Sequence, residues 1–429
     1  MKHVLGIISP HDCATILKKS AHQEAMSRTL DVKSDFDIYK EIPLLAYFDS
    51  SSTTLIPRVA VDATTEFLSH IVVSSRKGAH RLAVKGATVV EESRKKLAEF
   101  FSVQPAEMSF QKSLPCAVSS IAFGYKWKEY GQSKIVIGQS EENSVYVPLL
   151  RAAQVLGLDV EIVPTDDDGL LDLSSLDKTL DDQVGIVAIG TVAPGIGRQN
   201  PIDSISKTVH EHRTILLTDA TRSVGASEIS LTSINSDVVL FSGNIGLMAP
   251  PGFTVQWTNP IVNEIYHPGI IGGSGVAGVE DKSFEIALPP DRYESGYINI
   301  PAIAGLGASL DYLSNLNSQG LFKHMRTLSS HLLSRLREFD GIKIYGTPSD
   351  RNTIIGFDVS PESDISCHDI ALFLDESDIA VRSGLICAHP LLNQLTRNGL
   401  VQVSLHVYNT LEDIDRLCQV LDTILSELV

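Results

Sequence analysis

A thiol, two guanidinium groups and a strand-end carboxylate are the side chains of this sequence that could do chemistry. Cys387 stands in Arg382-Ser-Gly-Leu-Ile-Cys-Ala-His-Pro390, after Gly384, in a run that reads as a loop. An exposed cysteine there could act as a nucleophile through its thiolate, if its surroundings lowered its pKa. The other reading is an ordinary buried cysteine, the commoner fate of the residue. Arg382 and Arg351 could hold a carboxylate through paired N–H donors. Equally, they could pair with the acids of a chain that has 52 Asp and Glu. Asp219 ends an apolar run and reads, taken alone, as a helix cap or turn aspartate. His80 reads as a satisfied core or interface histidine. The Cys367-His368 and Cys387/His389 pairs are too sparse for a metal site, so no metal is expected. Gly195-Ile-Gly197 and Gly272-Gly-Ser-Gly275 match neither phosphate-binding glycine fingerprint and read as turns.

The elements that would position these groups alternate. Ile135–Ile137, Val160–Val163, Ile186–Ile189, Ile215–Leu217 and Val238–Phe241 read as buried strands, with helical stretches such as Val147–Leu156 and Ile205–His212 between them. That alternation predicts a largely parallel sheet covered on both faces. Phe253–Trp257 follows after only a short Gly/Pro loop, which predicts an antiparallel neighbour. Beyond Pro301 the pattern changes. Two amphipathic helices, Ala302–Leu316 and Leu321–Phe339, precede strands at Ile342–Tyr345 and Thr353–Phe357 and a helix from Ser366 to about Leu374. Ile379–Val381 and Leu400–Leu405 follow as strands. Thr410 starts the last helix, with Asp413 three residues on as an acidic capping-box partner. The predicted division is a segment 1–45 packed beside the smaller domain, a large domain 46–300, and a small α+β domain 301–429.

The net charge of −17 disfavours nucleic acid and anionic membranes as partners. No run approaches the ~18 apolar residues of a membrane span, and the N-terminus lacks a signal peptide's apolar core and cleavage site. The five cysteines form no C-x-x-C pair, so a reduced, cytoplasmic setting is expected.

Several stretches occur together in a telling order: Tyr47-Phe-Asp-Ser50 with Pro57, Lys77-Gly-Ala-His80, Thr218-Asp219, Phe241-Ser-Gly243, the Arg382–Pro390 run, and Ser404-Leu-His-Val-Tyr-Asn-Thr410. Together they resemble the class V aminotransferases, in the branch of cysteine desulfurases and selenocysteine lyases, from about residue 30 to the end. The resemblance implies an α/β protein of the fold-type-I, pyridoxal-phosphate (PLP) architecture. Its large domain carries a mostly parallel seven-stranded sheet between helices, and dimers form. It also implies a Schiff-base lysine, a histidine stacked on the cofactor ring, an aspartate on the pyridinium nitrogen, and a cysteine that accepts sulfur as a persulfide.

Position by position, most of that set is missing. Ile245 stands at the lysine position, and no residue from Asn244 to Pro251 is a lysine. Without an amine there is no covalent tether. Glu142 replaces the stacking histidine, Arg222 a glutamine after the aspartate, Asn244 a cofactor histidine, and Pro194 an asparagine. In the phosphate loop, Leu114 and Pro115 of Lys112-Ser-Leu-Pro-Cys116 replace two hydroxyl residues, and Pro115 removes an N–H donor. Tyr297 replaces a partner-subunit threonine. The remnants are Asp219 for the pyridinium, Ser242 for a phosphate, Arg382 and Arg351 for a substrate carboxylate, and Cys387 for sulfur.

The expectation is a degenerate member with no PLP. It would act by binding a small ligand or a sulfur-acceptor protein, or by persulfide relay through Cys387. It would form a homodimer, or a heterodimer with an active paralogue. The alternative is a working desulfurase or selenocysteine lyase that holds PLP and transfers sulfur through Cys387.

Overall fold

A computed structural model describes residues 30–74, 78–346, 351–359 and 365–428. Lys77 of the Lys77–His80 stretch and most of the predicted N-terminal segment lie outside the described residues.

Short apolar runs bounded by turns become the strands of a seven-stranded sheet. These are β1 (Met108–Gln111), β2 (Lys134–Gly138), β3 (Asp159–Val163), β4 (Val184–Ala188), β5 (Ile215–Asp219), β6 (Val238–Ser242) and β7 (Thr254–Thr258). Their spatial order is β1-β7-β6-β5-β4-β2-β3. Strands β2 to β6 run parallel, and β7 is antiparallel to both β6 and β1. The antiparallel neighbour expected from the short loop is therefore present. The two faces follow the period-two alternation of strand side chains. Val136, Val187 and Leu216 join one cluster, while Ile135, Ile137, Ile186 and Leu217 join another with the helices Leu114–Gly124 and Asn143–Leu156.

One strand departs from expectation. Val160–Val163 was read as buried, but β3 is the sheet's edge, bonded only to β2. Asp159, Glu161 and Ile162 face solvent, and only Val163 is fully buried. An edge strand has one free flank, so its side chains need not all be apolar.

Arg58–His70, Arg81–Phe101 and Ile300–Ser318 pack against the β6–β7 end of the sheet, around Val239, Phe241, Val255 and Trp257. A second, antiparallel sheet is built from β8 (Ile342–Ile344), β9 (Ile354–Val359), β10 (Arg382–Gly384) and β11 (Leu400–Ser404), in the order β8-β9-β11-β10. Leu321–Leu336, Cys367–Asp375 and Leu411–Leu428 cover it. The predicted capping box opens the last helix: Thr410 N–H donates to Asp413 Oδ2 at 3.0 Å and Asp413 N–H to Thr410 Oγ1 at 3.2 Å. Residues Ala46–Tyr47 pair in parallel with Ile379–Ala380 and so join the chain's start to this second unit. Phe36, by contrast, packs edge-on against Tyr408 and Tyr312 in the core around the large sheet. Among the described residues no helix is long and apolar enough to cross a membrane.

Candidate functional site

The turns that follow β5 and β6 line a shared gap with Ser50, Ser404 and His406, at the C-terminal ends of parallel strands where open α/β sheets bind ligands. Asp219 is the last residue of β5. Its Oδ1 accepts the Thr221 N–H at 2.9 Å, so the turn role read from the sequence is realised. Burial pushes its carboxyl up to about 6; Glu142 adds to the rise and Arg222 opposes it.

Glu142 and Arg222 hold each other. Arg222 Nη1 donates to Glu142 Oε2 at 2.7 Å, with the side chains 4% and 15% exposed. The sequence presents them as two separate losses, a ring stacker and a glutamine. The structure joins them as one buried ion pair beside Asp219. Opposite charges at two departing positions are the signal in the sequence for this pairing. Arg222 Nε is buried and has no hydrogen-bond partner.

Glu141 was not singled out from sequence either. It is 2% exposed and accepts the Gly190 N–H. Burial pushes its carboxyl up to about 8, so it is neutral at pH 7. Nothing in its residue type distinguishes it from a surface glutamate; only its place between two parallel strands does.

Cys387 completes the group. Ile386 and Cys387 both lie in the left-handed region, at φ 47° and 55°. The Cys387 carbonyl accepts the N–H of Asn143, the first residue of the helix Asn143–Leu156, at 2.8 Å. The Asn143 Nδ2 lies 2.9 Å from His389 Nδ1. Buried Ile386 and Ala388 anchor the loop on either side, and Cys387 between them is half-buried. Arg382 Nη2 donates to Cys387 Sγ at 3.3 Å, and its Nη1 to Ser52 Oγ at 3.0 Å. Arg222 lies one link further off: it is bonded to Glu142, whose neighbour Asn143 holds the Cys387 carbonyl.

Other singled-out residues fall elsewhere. Arg351 donates to the backbone carbonyls of Ile196, at 3.0 Å, and Tyr345, so its guanidinium serves the chain itself. Ser242 N–H donates to Thr221 Oγ1 at 3.3 Å. Asn244 bonds the segment Thr53–Thr54. His80 caps the helix Arg81–Phe101 by accepting the Ala83 N–H at 3.3 Å. At the phosphate-loop position, Ser113 caps the helix Leu114–Gly124 by accepting the Cys116 N–H, and Leu114 is buried. Tyr297 is 58% exposed, and its hydroxyl donates to the Val73 carbonyl.

Ile245 is half-buried and lines a gap of about 20 Å³ together with Arg222, Thr221 and His406. That is roughly room for one water. His406 is neutral there, its pKa pushed down to about 4 by burial, and its Nε2 donates to the Gly246 carbonyl at 3.1 Å. Gly246 has φ 78°, and a Cβ on it would lie 1.8 Å from the Val224 carbonyl. That close approach fixes the backbone that carries Ile245. Among the described residues no group of three metal-ligating side chains is found.

This arrangement has relatives. A probable cysteine desulfurase of Pyrococcus abyssi is 32% identical over 397 residues, covering 91% of this chain and 98% of that one. Another from Methanothermobacter thermautotrophicus is 30% identical, covering 90% and 97%. The apo structure of a cysteine desulfurase from Thermococcus onnurineus superposes with a TM-score of 0.85 at 30% identity, covering 92% of this chain and 98% of the other. The family model for aminotransferase class-V matches residues 46–417, and this chain, with its fold-type-I sheet, belongs to that family.

Proposed function

We propose that this chain is a degenerate, cysteine desulfurase-like member of its family that no longer performs PLP chemistry and works through Cys387, as a sulfur relay. The residues present do not fit a Schiff-base-held PLP. Ile245 has no nitrogen, and the gap beside it holds about one water. Glu142 offers a carboxylate where an aromatic stacker is needed, and that carboxylate is already bound to Arg222. At the phosphate position, Pro115 contributes no N–H and the Cys116 N–H is taken by Ser113. The observation that carries the reading is the Glu142–Arg222 ion pair, because it satisfies the site from within.

The test is the absorbance of purified protein incubated with PLP. No aldimine band is expected. A band that borohydride fixes to a lysine of this chain would sink the proposal.

A second reading keeps the enzyme, with PLP held non-covalently. The names of the relatives and the retained Arg382–Cys387 contact favour it. Release of sulfide or alanine from cysteine, lost in Cys387→Ala, would establish it. On either reading we infer a cytoplasmic dimer, of two identical chains or of this chain with an active paralogue. Native mass spectrometry of the assembly separates these two.

A further inference from the structure

We propose that Cys387 draws its sulfur from small anionic sulfane donors of the thiosulfate class, with Arg382 and Arg222 recognising the oxyanion that leaves. This rests on reading Cys387 as the chemical centre of a site without PLP. Extracting sulfur from cysteine by the family's route needs a cofactor aldehyde. A sulfane sulfur, already bonded to another sulfur, needs only a thiolate nucleophile.

The geometry supplies the rest. The loop is held at the Asn143 N–H, and Ile386 and Ala388 are buried, so the thiol is presented from a fixed position. Arg382 touches Sγ at 3.3 Å. Arg222 is bonded to Glu142, next in sequence to the Asn143 that holds the Cys387 carbonyl, and its Nε–H is buried without a partner. A guanidinium fork is the side-chain group best matched to an oxyanion. Of the facing carboxylates, Glu142 is bound to Arg222, Glu141 is neutral at pH 7, and Asp49 accepts the Ser52 hydroxyl at 2.6 Å while its charge acts on Arg382, which leaves Asp219. The side-chain contact made by Sγ itself is to a guanidinium.

The step balances without an outside oxidant. The Cys387 proton leaves to solvent, and the Sγ lone pair attacks the outer sulfur of thiosulfate. An Sγ–S bond forms, the S–S bond of thiosulfate breaks, and its electron pair departs with sulfite. The arginines stabilise the charge that gathers on the leaving sulfite oxygens. A second thiolate then takes the outer sulfur and restores the Cys387 thiolate. A small persulfide anion would load Sγ by the same attack, with a thiolate as leaving group.

The experiment uses the full chain. Wild-type protein is incubated with thiosulfate, and separately with glutathione persulfide. Peptide mass spectrometry then reads one added sulfur at Cys387, and sulfite release is measured in parallel. Loading by thiosulfate with equimolar sulfite is expected, absent in Cys387→Ser. Arg382→Gln should slow it about tenfold or more, the loss of one charged contact, and Arg382→Lys less. A measurement on wild type alone guards against misfolded variants: the ratio of alkylation rates by anionic iodoacetate and neutral iodoacetamide at Cys387 should exceed that of free glutathione. Loading by the persulfide but not by thiosulfate overturns the oxyanion assignment. A Cys387 that reacts with iodoacetamide but accepts sulfur from neither donor overturns the inference and leaves the thiol reading standing. A Cys387 inert to every reagent overturns both.

Discussion

Replacing Arg222 by glutamine should be one of the most damaging single changes in this chain. Arg222 and Glu142 are 4% and 15% exposed and 2.7 Å apart. Removing one member of so buried a pair leaves the other charge uncompensated, at a cost of about 3–5 kcal/mol. Here the stranded carboxylate would also face Asp219, whose charge already opposes it. The double variant E142Q/R222Q removes both charges and should recover most of the stability, because two amides can bond each other. Urea unfolding followed by circular dichroism at pH 7 measures all three proteins. If R222Q costs less than about 1 kcal/mol, or the double variant is no better than R222Q, then the pair is not the closed unit argued above.

Glu141 and Asp219 give the wild type its own pH dependence. Their folded pKa values, about 8 and about 6, lie above the ordinary 4.5 and 3.8. A raised acid contributes stability that is full below its unfolded value and is lost as pH climbs to its folded value. The urea midpoint should therefore fall between about pH 3.8 and 8, and Glu141→Gln should flatten the upper part of that fall. Thr410→Ala should cost about 1 kcal/mol, the worth of a helix cap, read as a shift in the urea midpoint. Gly246→Ala should cost more than Thr410→Ala and reduce soluble yield, because its Cβ would collide with the Val224 carbonyl at a φ of 78°.

The sheet was legible because its strands are continuous apolar runs separated by helix-length segments, and burial on both faces leaves little else they could be. The exception, Val160–Val163, carries the same kind of run; its edge position is set by strand order, which no local pattern encodes. The capping box at Thr410 was legible because it is local, closed within three residues. The site was legible in part. The missing amine at Ile245 is a property of one residue type. The meeting of Glu142 with Arg222 spans 80 positions and depends on two strand ends coming together. Arg351 reads from sequence either as a carboxylate binder or as a structural ion-pairing group, yet it is committed to the Ile196 and Tyr345 carbonyls, because the chain passes close enough to use its donors.

The two halves of the cleft have been left in different states. On the cofactor side, polar groups answer one another: Glu142 to Arg222, Glu141 to the Gly190 N–H, Asp219 to the Thr221 N–H. A buried polar group that is satisfied internally gives a ligand nothing to gain, since binding must first break the bond it replaces. The thiol side is different. There Arg382 Nη2 rests on sulfur, a weak acceptor, at 3.3 Å, and Arg222 Nε–H is buried without a partner. An incoming oxyanion would improve that contact rather than compete with it. Ligand affinity should therefore concentrate around Arg382 and Cys387, and a site whose other polar groups are paired internally can still be open to an anion that reacts with a thiol.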